Sequence, residues 1–151
     1  MNHSGEINLL FVYGSLLLPS NQYGSFLQNN STLVSEGWLR GYLYDCGGYP
    51  AAVPIEHTQE KVEGRIYLLH DDEIILKYLD DYEGFGEQFT DPNEFVRKKL
   101  DIHTDLETIN CWVYLYNRPT DGLKKIPGGN YLKYKESPDH SGDSKTNKLI
   151  F

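Results

Sequence analysis

The sequence predicts an α+β fold: a small, strongly curved mixed β-sheet or barrel of about five to six strands, flanked by helices. Three observations predict it. Runs rich in β-forming residues recur up to residue 116, glycines interrupt them where a sheet would have to bend, and only one segment carries an obvious helical period. At 151 residues the chain fits one domain, placed at residues 1–136. Hydrophobic residues at 39% and aromatics at 13% suffice to fill a core.

Residues 7–13 form an apolar run, interrupted only by Asn8 and ending at Gly14, which suits a strand buried on both faces. Residues 33–44 mix β-formers with Gly37 and Gly41, the mark of a long, bent or bulged strand. Residues 61–69 alternate through Val62, Gly64, Ile66 and Leu68. Two further β-rich runs, 95–102 and 109–116, are joined by a polar stretch that reads as a hairpin. The helix begins at Asp71 or Asp72 as N-cap and carries Ile74, Ile75, Tyr78, Leu79 and Tyr82. Gly84 supplies its stop. A second, short helix is expected after Gly128-Gly129, over about 130–135. Residues 137–148 are polar and aperiodic, so 137–151 is expected to be a disordered tail.

Charge narrows the function classes. Twenty-two acids against 14 bases give a formal charge of -8. The longest basic run is Arg97-Lys98-Lys99, inside an alternating segment where two of the three would face solvent, so nucleic acid is a poor partner. The first apolar run is broken and too short to span a bilayer, and the N-terminus lacks a basic leader region. No membrane partner is expected, and the cytoplasm is the default compartment. Cys46 and Cys111 have no metal-ligand spacing, and neither do the five histidines. HExxH, GxGxxG, GxxxxGK[ST] and GxSxG motifs are absent, which removes sequence support for zinc peptidase, nucleotide-binding and serine-hydrolase chemistry.

Three segments are candidates for chemistry. In Phe11-Val12-Tyr13-Gly14-Ser15-Leu16 a buried strand runs into a sharp turn, where successive amides can converge on a carboxylate or an oxyanion. Most strands that end in Gly-Ser are simply turning. In Leu79-Asp80-Asp81-Tyr82-Glu83-Gly84-Phe85, Glu83 closes the helix where the macrodipole and the neighbouring acids disfavour its charge, so its pKa is expected to rise. Such a carboxyl can take and return a proton near neutrality; the plainer reading is an acidic, solvated helix end. In Gly47-Gly48-Tyr49-Pro50-Ala51, Tyr49 presents its phenol to a pocket or packs its ring.

Taken in order, Tyr13-Gly14-Ser15-Leu16, Tyr49-Pro50-Ala51, Gly64-Arg65-Ile66-Tyr67 and Leu79-Asp80-Asp81-Tyr82-Glu83-Gly84 resemble the gamma-glutamylcyclotransferase-like family, in its branch of gamma-glutamylamine cyclotransferases and avirulence-induced plant proteins. The resemblance covers roughly residues 7–117. It implies a compact β-barrel flanked by helices, with a cavity between the Tyr-Gly-Ser-Leu loop and the family's acidic residue, which aligns with Glu83. The implied reaction is cofactor-free and metal-free: the α-amine of a γ-glutamyl group attacks its own γ-carbonyl and releases 5-oxoproline. Glu83 would be the general acid/base, and Tyr13, Gly14, Ser15 and Leu16 would bind the small-molecule γ-glutamyl substrate. A homodimer is compatible with this reading. The alternative is a catalytically silent binding module of the same fold. Residues 87–94 depart from the family with extra acids and a proline, and Tyr131 is a further candidate to line the cavity.

Overall fold

The structure is a computed structural model that describes residues 8–14, 17, 22–83, 85–86 and 93–136. Its elements run β1 (Leu9–Val12), α1 (Gln22–Asn29), β2 (Ser31–Asp45), β3 (Pro50–Pro54), β4 (Lys61–Leu69), α2 (Asp72–Glu83), β5 (Phe95–His103), β6 (Thr108–Tyr116), β7 (Lys124–Lys125), a 3-10 turn at Pro127–Gly129 and α3 (Tyr131–Glu136). The strands pair in the order β3-β2-β4-β1-β6-β5, and a further pairing of β2 with β5 closes five of them into a barrel. The barrel is mixed: β1 runs parallel to β6, and the other pairings are antiparallel.

Strand parity explains the two cores. Phe11, Tyr13, Leu39, Leu43, Val62, Ile66, Ile102, Cys111, Val113 and Leu115 come from all five barrel strands and pack together, so this cluster fills the interior. Leu10, Val12, Tyr67, Leu69 and Tyr114, of the opposite parity, form the outer face on which Leu27 of α1 and Ile75, Leu76 and Leu79 of α2 pack. The long β2 reaches round the barrel because its register slips between Leu33 and Ser35, a bulge of the kind its glycine-marked sequence predicts. Gly64 sits where β4 lies against β1; an added Cβ would come 2.2 Å from the Val12 carbonyl oxygen.

The predicted elements occur, with several differences, among them the unpredicted short strand β7. Residues 50–54 form a strand rather than only a connection, paired with residues 41–45 of β2. Helix α1 had no clear sequence signal, because Gly24 interrupts it and only Gly24 and Leu27 are fully buried. In α2 the buried stripe is Ile75, Leu76 and Leu79, while Ile74 is 63% exposed and Tyr78 lies on the rim, its ring on Tyr23 and Phe26. Of Arg97-Lys98-Lys99, Lys98 and Lys99 are exposed, two of the three as expected, whereas the Arg97 side chain is largely buried under α2. Asp71 is the helix cap, accepting the Ile74 N–H at 3.3 Å. Cys46 and Cys111 are free, the first half-buried and the second buried. The expected stop at Gly84 and the tail over 137–151 lie outside the described residues. Among the described residues no helix is long and apolar enough to cross a membrane.

Candidate active site

The end of β1 is tied down from inside the barrel. Tyr13 is fully buried, and its hydroxyl donates to the Tyr114 carbonyl oxygen at 2.7 Å while accepting the Ala52 N–H at 3.3 Å. Its phenol is therefore bonded to the barrel's own backbone. Gly14 follows, buried, with its carbonyl accepting the Leu17 N–H at 3.0 Å to close a tight turn. Ser15 and Leu16 lie outside the described residues.

Helix α2 ends at Glu83, whose backbone is described and whose side chain is not. Glu83 stands three residues after Asp80, a spacing that puts two residues on one helix face. Asp80 points at the sheet. Its carboxylate takes a two-pronged salt bridge from Arg97, Nε to Oδ1 at 2.8 Å and Nη2 to Oδ2 at 2.9 Å. The Tyr114 hydroxyl donates to Oδ1 of the same carboxylate at 2.6 Å. Burial pulls the Arg97 pKa down, but the hydrogen bonds and charge of Asp80 outweigh it and lift the group above its ordinary value. Arg97 also lies over the Trp112 ring at 4.3 Å. The Asp80 charge is balanced by the Arg97 guanidinium.

Tyr114 is thus common to both candidate segments. Its backbone carbonyl accepts the hydroxyl of Tyr13, the residue after β1, and its own hydroxyl reaches the last turn of α2. The turn after β1 and the end of α2 stand on the same stretch of β6.

The third segment forms a separate aromatic patch. The Tyr49 hydroxyl donates to Glu94 at 2.6 Å. Burial, followed by that hydrogen bond and the Glu94 charge, raises its pKa strongly. Its ring packs near Phe95, as does Tyr116. The ring of Tyr49 packs, as one of its two sequence readings has it, but its phenol is bonded to Glu94. From the loop 87–94 only Asn93 and Glu94 are described. Asn93 clamps Gly86 through its side chain, accepting the Gly86 N–H at 3.0 Å and donating to the Gly86 carbonyl at 3.3 Å.

A cavity of about 340 Å³ borders the β1 turn at Leu17 and is lined by Trp38, Glu63, Arg65, Asp105 and Tyr131 among others. Among the described residues none from α2 lines it, so Tyr131 lines this cavity rather than one shown to hold Glu83. Tyr131 is nearly buried, its pKa pushed up to about 12 by burial and then by the Asp45 charge. Among the described residues no group of three or more His, Cys, Asp or Glu side chains could hold a metal ion. Asp80, Arg97, Tyr114 and Glu94 were not candidates in the sequence.

Comparison with known proteins now bears on the site. The family described as "Gamma-glutamyl cyclotransferase, AIG2-like" matches residues 10–133. The chain belongs to this family. The gamma-glutamylcyclotransferase family protein YtfP of Escherichia coli K12 is 34% identical over 124 residues, covering 82% of this chain and 95% of that protein. The solution structure of YtfP from Escherichia coli superposes with a TM-score of 0.57 at 30% identity, covering 85% of this chain and 99% of that one. An AIG2-like protein from Mus musculus has the same fold, with a TM-score of 0.69 at 20% identity over 93% of this chain and 97% of its own. The family match runs from β1 to α3 and so includes both halves of the candidate site.

Proposed function

We propose that the protein is a gamma-glutamyl cyclotransferase acting on a small γ-glutamyl amine or peptide, with Glu83 as general acid/base. The observation that carries this reading is the double use of Tyr114, which fastens the end of β1 and the last turn of α2 to one point of β6. A substrate bound over that point would reach the amides of the turn with one end and the carboxyl that closes α2 with the other.

The chemistry asks little else of the protein. The nucleophile is the substrate's own α-amine, so no Ser-His or Cys-His pair is required. Glu83 takes a proton from the amine as the new N–C bond forms at the γ-carbonyl. The γ-carbonyl oxygen becomes an oxyanion, which the amides of Gly14, Ser15 and Leu16 would meet, or else they hold the glutamyl head group. As the old C–N bond breaks, Glu83 returns the proton to the departing nitrogen, so 5-oxoproline and a neutral amine leave and the carboxylate is restored. Holding the glutamyl chain curled accounts for a large share of the rate, up to about 7–11 kcal/mol in favourable intramolecular cases.

An assay of purified protein against γ-glutamyl amines, dipeptides and lysine side-chain conjugates, read as 5-oxoproline, tests this. At least one substrate should be turned over, and Glu83→Gln should abolish turnover with the fold intact. Ligand-induced thermal stabilisation without product from any substrate would instead assign the protein to the silent binding class.

A further inference from the structure

We propose that Arg97 is a positioning residue for Glu83, because its guanidinium grips the chain on both sides of that residue. The inference rests on the reading of Glu83 as the acid/base. On the N-terminal side the grip is the salt bridge to Asp80, in which both side chains are more than four-fifths buried, at 17% and 18% exposure. On the C-terminal side the same guanidinium lies over the ring of Phe85 at 5.9 Å. The Phe85 N–H also donates to the Asp80 carbonyl oxygen at 3.0 Å, so the arc that contains Glu83 is closed by its own backbone and held by one cation from below.

The guanidinium has little freedom. Trp112 supports one face of it at 4.3 Å, and the Trp112 indole N–H is in turn fixed to Asn8 at 3.2 Å. Asn8 also donates to Asp72 at 2.9 Å, so the first turn of α2 is fastened to the same surface as its last. Tyr114 occupies the remaining approach to Asp80 Oδ1. A planar fork fits this arrangement and a lysine ammonium does not, since it cannot bond both carboxylate oxygens while lying flat on an indole.

Arg97 has a second effect on the same turn. It balances the Asp80 carboxylate, so removing either partner leaves a single charge one helical turn from Glu83, of opposite sign in the two cases. A carboxyl beside an uncompensated anion titrates higher, and beside an uncompensated cation lower.

The experiment compares wild type, Glu83→Gln, Arg97→Lys, Arg97→Gln and Asp80→Asn on the γ-glutamyl substrate that wild type turns over best. It records kcat, KM, the pH profile of kcat/KM and residue-level amide exchange. Arg97→Lys should lower kcat by about 100-fold, the scale of a misplacement of about 1 Å, with KM changed by less than about threefold. Amides at 81–86 should exchange faster while those of the barrel strands do not. The acid limb of the profile should move to higher pH in Arg97→Gln and to lower pH in Asp80→Asn, opposite shifts that a merely structural role would not produce. Wild-type kcat in Arg97→Lys, or limbs that stay put or move together, would overturn the proposal. If Arg97→Lys loses its fold, Asp80→Asn decides with the same readouts. A wild type that releases no 5-oxoproline, or an active Glu83→Gln, would overturn the reading of Glu83 itself before any Arg97 variant is needed.

Discussion

The interior of the barrel and the seam beneath α2 use tyrosine in opposite ways. Inside, Tyr13 is an apolar filler whose hydroxyl is answered by backbone, at Tyr114 and Ala52. Under α2, Tyr114 belongs to a charged network with Asp80 and Arg97 that lies among Leu79, Val12 and Trp112. The seam holds a partly buried ion pair at one helix end, and the desolvation cost of such pairs often cancels much of their attraction. The difference separates the part of the fold that makes the barrel from the part that would aim a functional group.

The largest effect should come from the interior. Phe11→Ala removes a fully buried ring shared by the strands of the barrel. It should cost about 3–5 kcal/mol, measured by urea unfolding, and a loss below about 1 kcal/mol would mean that the interior is not the main source of stability.

Next come the two hydroxyls, which set the regions directly against each other. Tyr13→Phe removes one buried hydrogen bond each from the Tyr114 carbonyl and the Ala52 N–H inside the barrel. The cost should be about 1–3 kcal/mol, that of losing buried hydrogen bonds. Tyr114→Phe leaves Asp80 its two bonds from Arg97. Its cost should be smaller, roughly 1 kcal/mol. Turnover should follow the reverse order, with Tyr114→Phe slowed more than Tyr13→Phe. Equal effects on stability and turnover in both variants would erase the distinction drawn between interior and seam.

How much of this was legible beforehand follows the same division. The barrel strands could be read because apolar alternation and glycine spacing are local signals: β4 runs from Lys61 to Leu69 as expected, and β5 and β6 fall within a residue or so. The Asp80–Arg97–Tyr114 network could not be read. Its members lie 17 and 34 residues apart, and each alone looks like a surface acid, a strand-borne base or a core aromatic. Helix α1 was missed because its apolar face is carried by only Tyr23, Phe26 and Leu27 around a glycine. Glu83 and Gly14 could be named as candidates from sequence because the family pattern is continuous around each. The network that joins their two elements belongs to the folded chain.

A smaller effect concerns pH. Burial pushes the Cys111 thiol from 9.0 up to about 12, with the Asp101 charge adding to the rise. Tyr131 is likewise raised from 10.0 to about 12. Both groups are neutral in the fold and ionise earlier in the unfolded chain, so their contribution is complete below about pH 9 and is lost as pH rises towards 12. Chemical denaturation followed from pH 8 to 11 should show stability falling, and Cys111→Ala should flatten part of that slope. A slope unchanged in Cys111→Ala would remove the thiol from the account.

The smallest effect is one of rate alone. In the native protein a thiol reagent should modify half-buried Cys46 well before buried Cys111, which should react only on unfolding. Mass spectrometry of the labelled protein would show it, and equal labelling would mean that the barrel opens on the timescale of the reaction.

The central claim is that the turn after β1 and the end of α2 form one site, joined through Tyr114. The most direct measurement is a titration of the protein with 5-oxoproline followed by backbone amide NMR shifts. The amides of residues 14–17 and 80–86 should move together along a single binding curve, and the shifts at 80–86 should shrink in Tyr114→Phe. Shifts confined to one segment, or two segments with separate curves, would contradict it.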